Sequence, residues 1–102
     1  MTTIQWELVN PEGAARPVSL APAPRPADLA GKTVGLAWNG KPGGDHALEE
    51  IDARLAAQAD GIRFIRYWRV LPDSVAPREL SRDTIRAMAA YAPDAVIVAQ
   101  GD

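Results

Sequence analysis

The 102-residue chain contains no cysteine and a single histidine, His46. The first absence excludes a disulfide framework, a cysteine nucleophile and a thiolate metal site within these residues. The second leaves a zinc centre or a Ser-His-Asp triad without its usual ligands or base, so neither a metal nor a catalytic residue is expected here. No apolar run approaches the roughly 18 residues that a membrane span requires. Neither sign of charge dominates: 11 Lys and Arg against 13 Asp and Glu leave a net charge of -2. That balance argues against nucleic acid or an anionic membrane as a partner. No segment repeats at a solenoid period. What is present is ordinary for a globular chain, with 47% hydrophobic and 24% charged residues, enough for one small domain in a cytoplasmic setting.

The amino-terminal segment, residues 1–29, reads as a short strand followed by a proline-rich arm. Ile4, Trp6 and Leu8 alternate with Gln5 and Glu7, the period-two pattern of a half-buried strand. Asn10-Pro11-Glu12-Gly13 closes it as a turn. Pro17, Pro22, Pro24 and Pro26 then remove backbone donors and favour extended polyproline geometry.

From Ala30 to Asp102 the texture is that of an α/β domain. Thr33–Trp38 is an apolar run suited to a strand covered on both faces. A loop, Asn39-Gly40-Lys41-Pro42-Gly43-Gly44, follows, and Asp45 is positioned to cap a helix with Leu48, Ile51, Leu55 and Ala59 on one side. Asp60-Gly61 supplies the stop. Ile62–Val70 predicts a second strand, Ser81 caps a second helix that turns Ile85, Met88 and Ala89 inward, and Ala95–Ala99 predicts a third, buried strand. Strand, helix, strand, helix, strand with a parallel sheet is part of a doubly wound three-layer fold.

Two helices do not cover both faces of a three-stranded parallel sheet. On opposite faces they leave each half bare; on one face they leave the other exposed. The chain also stops about three residues after its most apolar strand, at the carboxyl edge where such folds place their ligand crevice. The expectation is therefore a domain that is incomplete, or one completed by another chain.

Several segments, taken in order, carry a family resemblance. They are Val9-Asn10-Pro11-Glu12-Gly13, Leu29-Ala30-Gly31-Lys32-Thr33-Val34-Gly35-Leu36, Trp38-Asn39-Gly40-Lys41-Pro42 and Ala95-Val96-Ile97-Val98-Ala99-Gln100-Gly101-Asp102. Together they resemble the UGSC (seleno)protein family, with the Asn-Gly-Lys-Pro loop carrying most weight. In that family the Gly-Asp pair after the third strand is followed by selenocysteine or cysteine, then glycine, serine and cysteine. The resemblance implies that the next residue after Asp102 is the selenocysteine, whose UGA codon an ordinary translation reads as a stop. It also implies a redox pair on the loop leaving the third strand, acting on an unidentified small molecule or redox partner. No other cofactor is expected in the chain. The competing expectation is a small α/β binding module or subunit that completes its sheet with a partner chain or in an oligomer; a free-standing monomer binding a small anion is a third.

The residues expected to face a substrate or anion are Asn39, Gly40, Lys41, Gly43, Gly44 and Arg69. Glycines let the backbone approach a ligand, N–H groups at the helix start favour an anion, and Lys41 adds charge. The loop matches neither GxGxxG nor the Walker pattern, so no nucleotide is inferred. A turn that merely needs positive φ is the alternative. Arg69, near the end of the predicted second strand, shares a face with Arg63 while Arg66 takes the other; edge protection is the alternative for all three. Gly101 and Asp102 border the redox motif, where Asp102 caps the following helix or acidifies a neighbour. Glu49, Glu50, Asp52 and Arg54 fit a solvated helix face.

Overall fold

The computed structural model describes residues 3–100. Its ordered centre is a three-stranded parallel sheet of order β2-β1-β3, formed by β1 (Thr33–Trp38), β2 (Arg63–Arg66) and β3 (Ala95–Ala99). Helix α1 (Gly44–Gln58) joins β1 to β2. A short helix α2 (Tyr67–Val70), a 3-10 turn (Pro72–Ser74) and helix α3 (Arg82–Ala90) join β2 to β3. The two connections step from β1 in opposite directions, so with the same right-handed sense they must pass over opposite faces of the sheet.

The faces are built differently. Val34 and Leu36 of β1 meet Leu48 of α1 in the buried core, with Leu29, Phe64, Ile97 and Ala99 packed around them. On the other face, Gly35 has no side chain because Tyr67 lies there. A Cβ at Gly35 would fall 2.6 Å from a carbon of the Tyr67 ring. Tyr67 is fully buried, its hydroxyl donates to the Met88 carbonyl at 2.8 Å, and its ring meets Tyr91 edge-on at 5.9 Å. Burial, and the neighbouring Tyr91, push the Tyr67 hydroxyl pKa up, which keeps it protonated as the donor this contact requires. One aromatic side chain thus ties α3 to the sheet. At the opposite edge Asp94 clamps two strand starts: its carboxylate accepts from the Thr33 N–H at 2.9 Å and its own N–H donates to the Thr33 carbonyl at 2.8 Å.

Several expectations need correction. Residues 3–10 form no strand; Trp6 and Leu8 are 82% and 89% exposed. Alternation supplies a face but not a partner edge, and the proline-rich stretch behind it separates these residues from the sheet. The turn survives locally, with the Glu12 N–H donating to Asn10 Oδ1. The second strand ends at Arg66 rather than Val70, because Tyr67 turns into a helix to reach the sheet face. Arg69 consequently lies on α2, and the predicted face-sharing with Arg63 does not apply. Asp45 does not cap α1: Gly43, in the left-handed region, is the N-cap, and Asp45 sits in the first turn, where it still complements the helix dipole. Ser81 does cap α3, accepting from the Thr84 N–H. Ile85 remains half exposed, and Val96 and Val98 of β3 are open to solvent rather than buried, since α3 approaches the sheet through Tyr67 and not along β3.

The Gly35–Tyr67 contact gives a direct test. Gly35→Ala should destabilise the domain by about 1–3 kcal/mol, the range for overpacking a close-packed site. Gly13→Ala, which meets nothing within 4 Å, should leave stability within about 0.5 kcal/mol of the parent. Urea unfolding of the two variants checks the contrast.

Candidate functional site

The place where the connections change face lies between β1 and β3, and in an open α/β sheet the ligand crevice forms outside the carboxyl ends of the strands there. A hollow of about 300 Å³ occupies that position. Ala37, Trp38 and Asn39 at the end of β1 form one side, and Val98 and Gln100 at the end of β3 the other. The segment after α2 supplies Ser74, Arg78 and Glu79. Ser74 is buried at 3% exposure, and its hydroxyl has no hydrogen-bond partner among the described residues. Arg78 and Glu79 stand exposed at the rim, and among the described residues Arg78 makes no ion pair. The crevice therefore offers an aromatic wall, a buried hydroxyl and one charge of each sign.

The loop after β1 borders this hollow and is held by its own bonds. Asn39 Oδ1 accepts from the Lys41 N–H at 3.1 Å, and the Trp38 indole N–H donates to the Lys41 carbonyl at 2.7 Å. Gly40 and Gly43 adopt φ of +85° and +98°, values that other residues reach only with strain. Gly44 leaves room for the Trp38 ring, since a Cβ there would approach it within 2.7 Å; the same Cβ would lie 3.5 Å from the Ala99 carbonyl oxygen. The first turn of α1 and the end of β3 are thus neighbours. Of the anticipated residues, Asn39 lines the crevice, while Gly40, Lys41, Gly43 and Gly44 form the adjoining loop.

Arg69 is engaged elsewhere. It lies on α2 with its guanidinium 3.9 Å from Glu49 of α1. Arg66 holds the same carboxylate through two bonds of 2.9 and 3.0 Å and reaches Asp52 at 2.7 Å. Glu49 and Asp52 are therefore not a merely solvated helix face; they fasten α1 to the end of β2, while Glu50 and Arg54 form an exposed pair one turn apart. The hydrogen bond from Arg66 holds the Glu49 carboxyl below the usual carboxylate range, and the same bond raises the Arg66 pKa. Gly101 and Asp102 lie outside the described residues.

A family model, described as the UGSC family, matches residues 7–102. The chain belongs to the UGSC family. No curated protein and no solved structure matches it. Within this UGSC chain, Ser74, Arg78, Glu79 and Gln100 went unanticipated. Their segment reads in sequence only as a proline-punctuated loop, and their convergence follows from the turn at Tyr67, for which the sequence carries a strand-like aromatic run instead. A signal was available in Gly35, a glycine within an apolar strand, which marks close approach of another group.

The Arg66 network predicts an acid dependence. Because the Glu49 pKa is lower folded than unfolded, its contribution to stability is complete above the ordinary carboxylate range and is lost as pH falls through the folded value. Glu49→Gln should lower Tm at neutral pH, and the gap to the parent should close in acid, below about pH 4. Thermal melts of both proteins across that range measure it.

Proposed function

We propose that this chain is the amino-terminal part of a redox-active UGSC-type protein, with the β1–β3 crevice as the substrate-holding half of its site. The reacting selenol or thiol is supplied by the motif that follows Asp102 in the family pattern, and enters from the end of β3. Cycling between selenol plus thiol and a selenenyl sulfide moves two electrons and two protons per turnover. The observation that carries the proposal is the crevice itself, open at the strand ends, with the unpartnered Ser74 hydroxyl buried in its wall.

The surroundings suit that chemistry. A chalcogen leaving β3 emerges beside the first turn of α1, since Gly44 and Ala99 are neighbours. Backbone N–H groups and the helix dipole there stabilise an anion and lower the pKa of the group that carries it. Ser74 and Arg78 are placed to hold an anionic oxygen of a small substrate, Glu79 to accept from a donor on it, and Trp38 to bound its apolar part. The open face around Val96 and Val98 favours one other reading, a binding module whose sheet is completed by a partner chain.

Sequencing the DNA immediately after the Asp102 codon separates the two. The redox proposal predicts UGA, or a cysteine codon, followed in frame by glycine, serine and cysteine codons. UAA or UAG with no continuation would sink it and favour the binding module.

A further inference from the structure

The crevice accounts for neither the exposed apolar arm nor the outer face of β3. Ile4, Trp6, Leu8 and Val9 are 73–91% exposed, a density of apolar side chains that a soluble chain rarely leaves uncovered. Val96 and Val98 are exposed on the face of β3 turned away from α1. Beside them an apolar hollow of about 410 Å³ runs between β3 and α3, lined by Tyr67, Leu80, Ile85, Met88 and Val96. We propose that residues 4–9 of a second copy of this chain add a strand along the free edge of β3, their Ile4-Trp6-Leu8 face covering Val96, Val98 and this hollow, in a reciprocal exchange of arms.

Four observations select this edge and this occupant. The pattern matches: Ile4, Trp6 and Leu8 share one side of an extended segment, as Val96 and Val98 do on β3. The two free edges of the sheet differ, because β2 carries Arg63 and Arg66 while the run Ala95–Ala99 has no charge; charges deter pairing and a bare apolar edge invites it. The spacer also favours a second copy. Residues 11–28 include Pro11, Pro17, Pro22, Pro24 and Pro26, and polyproline geometry at about 3.1 Å per residue makes them a semi-rigid arm reaching on the order of 50 Å. The molecule is accordingly 81 Å long, although its other dimensions are 31 and 27 Å. Such a spacer hinders folding back onto its own sheet and suits reaching another. Finally, two exchanged arms and the surfaces beneath them would bury on the order of 2,000 Å², above the roughly 1,200 Å² at the lower end of stable interfaces. Reciprocal exchange closes the assembly at two copies.

Light scattering after size exclusion tests the stoichiometry. The 102-residue chain should have twice the 10.9 kDa monomer mass, and both a chain lacking residues 1–10 and the Trp6→Asp/Leu8→Asp variant should fall to the monomer mass with unchanged circular dichroism. A monomeric parent, a dimer that survives the arm changes, or an open-ended ladder of oligomers would overturn the proposal. Because the chain has no cysteine, cross-linking locates the arm. Oxidising a mixture of Leu8→Cys chains with Val96→Cys or Val98→Cys chains should give disulfides between the two kinds of chain. Cross-linking of Leu8→Cys to Arg63→Cys instead would place the arm on the wrong edge and overturn the assignment.

Discussion

The architecture depends on how the middle of β1 is packed from both sides. Val34 and Leu36 face α1 through Leu48, while Gly35 between them faces the ring of Tyr67. A side chain at position 35 would hold the ring away. Tyr67 could then no longer reach the Met88 carbonyl, and α3 would lose its main attachment to the sheet. That attachment brings the segment from Pro72 to Leu80 over the end of β1. The residues of the crevice that do not come from the strands, Ser74, Arg78 and Glu79, owe their position to it.

The parallel α/β pattern was legible because it rests on local signals that tertiary packing reinforced. Thr33–Trp38 and Ala95–Ala99 are short apolar runs bounded by turn residues, and Leu48, Ile51 and Leu55 keep helical spacing. The errors arose where a local signal lacked a partner or a distant group overrode it. Ile4, Trp6 and Leu8 alternate as a strand should, yet pairing is not a property of one segment. Tyr67-Trp68 reads as strand by composition, yet the ring's place against Gly35, thirty-two residues earlier by number, forces a helical turn. The half-covered sheet followed from counting helices against strands, and the exposure of Val96 and Val98 has that cause.

The site was half legible. The loop after β1 was found because glycine and asparagine at a strand's carboxyl end have few other uses, and its self-contained bonding explains why the chain conserves its shape without help from a ligand. The far wall was not legible, because Ser74, Arg78 and Glu79 lie in a segment without periodicity. Arg69 illustrates the converse: a cation near a strand end looked available, but Glu49 on α1 already meets it. Membership of the UGSC family and the crevice arrive independently at the same strand end, the one from sequence order and the other from topology.

The central claim is that this crevice, and not the charged face of α1 or the arm, receives the substrate. Amide and indole NMR of the isotopically labelled 102-residue chain, titrated with a small carboxylate such as acetate, tests it most directly. The account predicts saturable shifts confined to the Trp38 indole, Asn39, Ser74, Arg78 and Gln100. Shifts centred instead on Arg54, Arg66 and Arg69, or scattered over exposed cations without saturation, would contradict it.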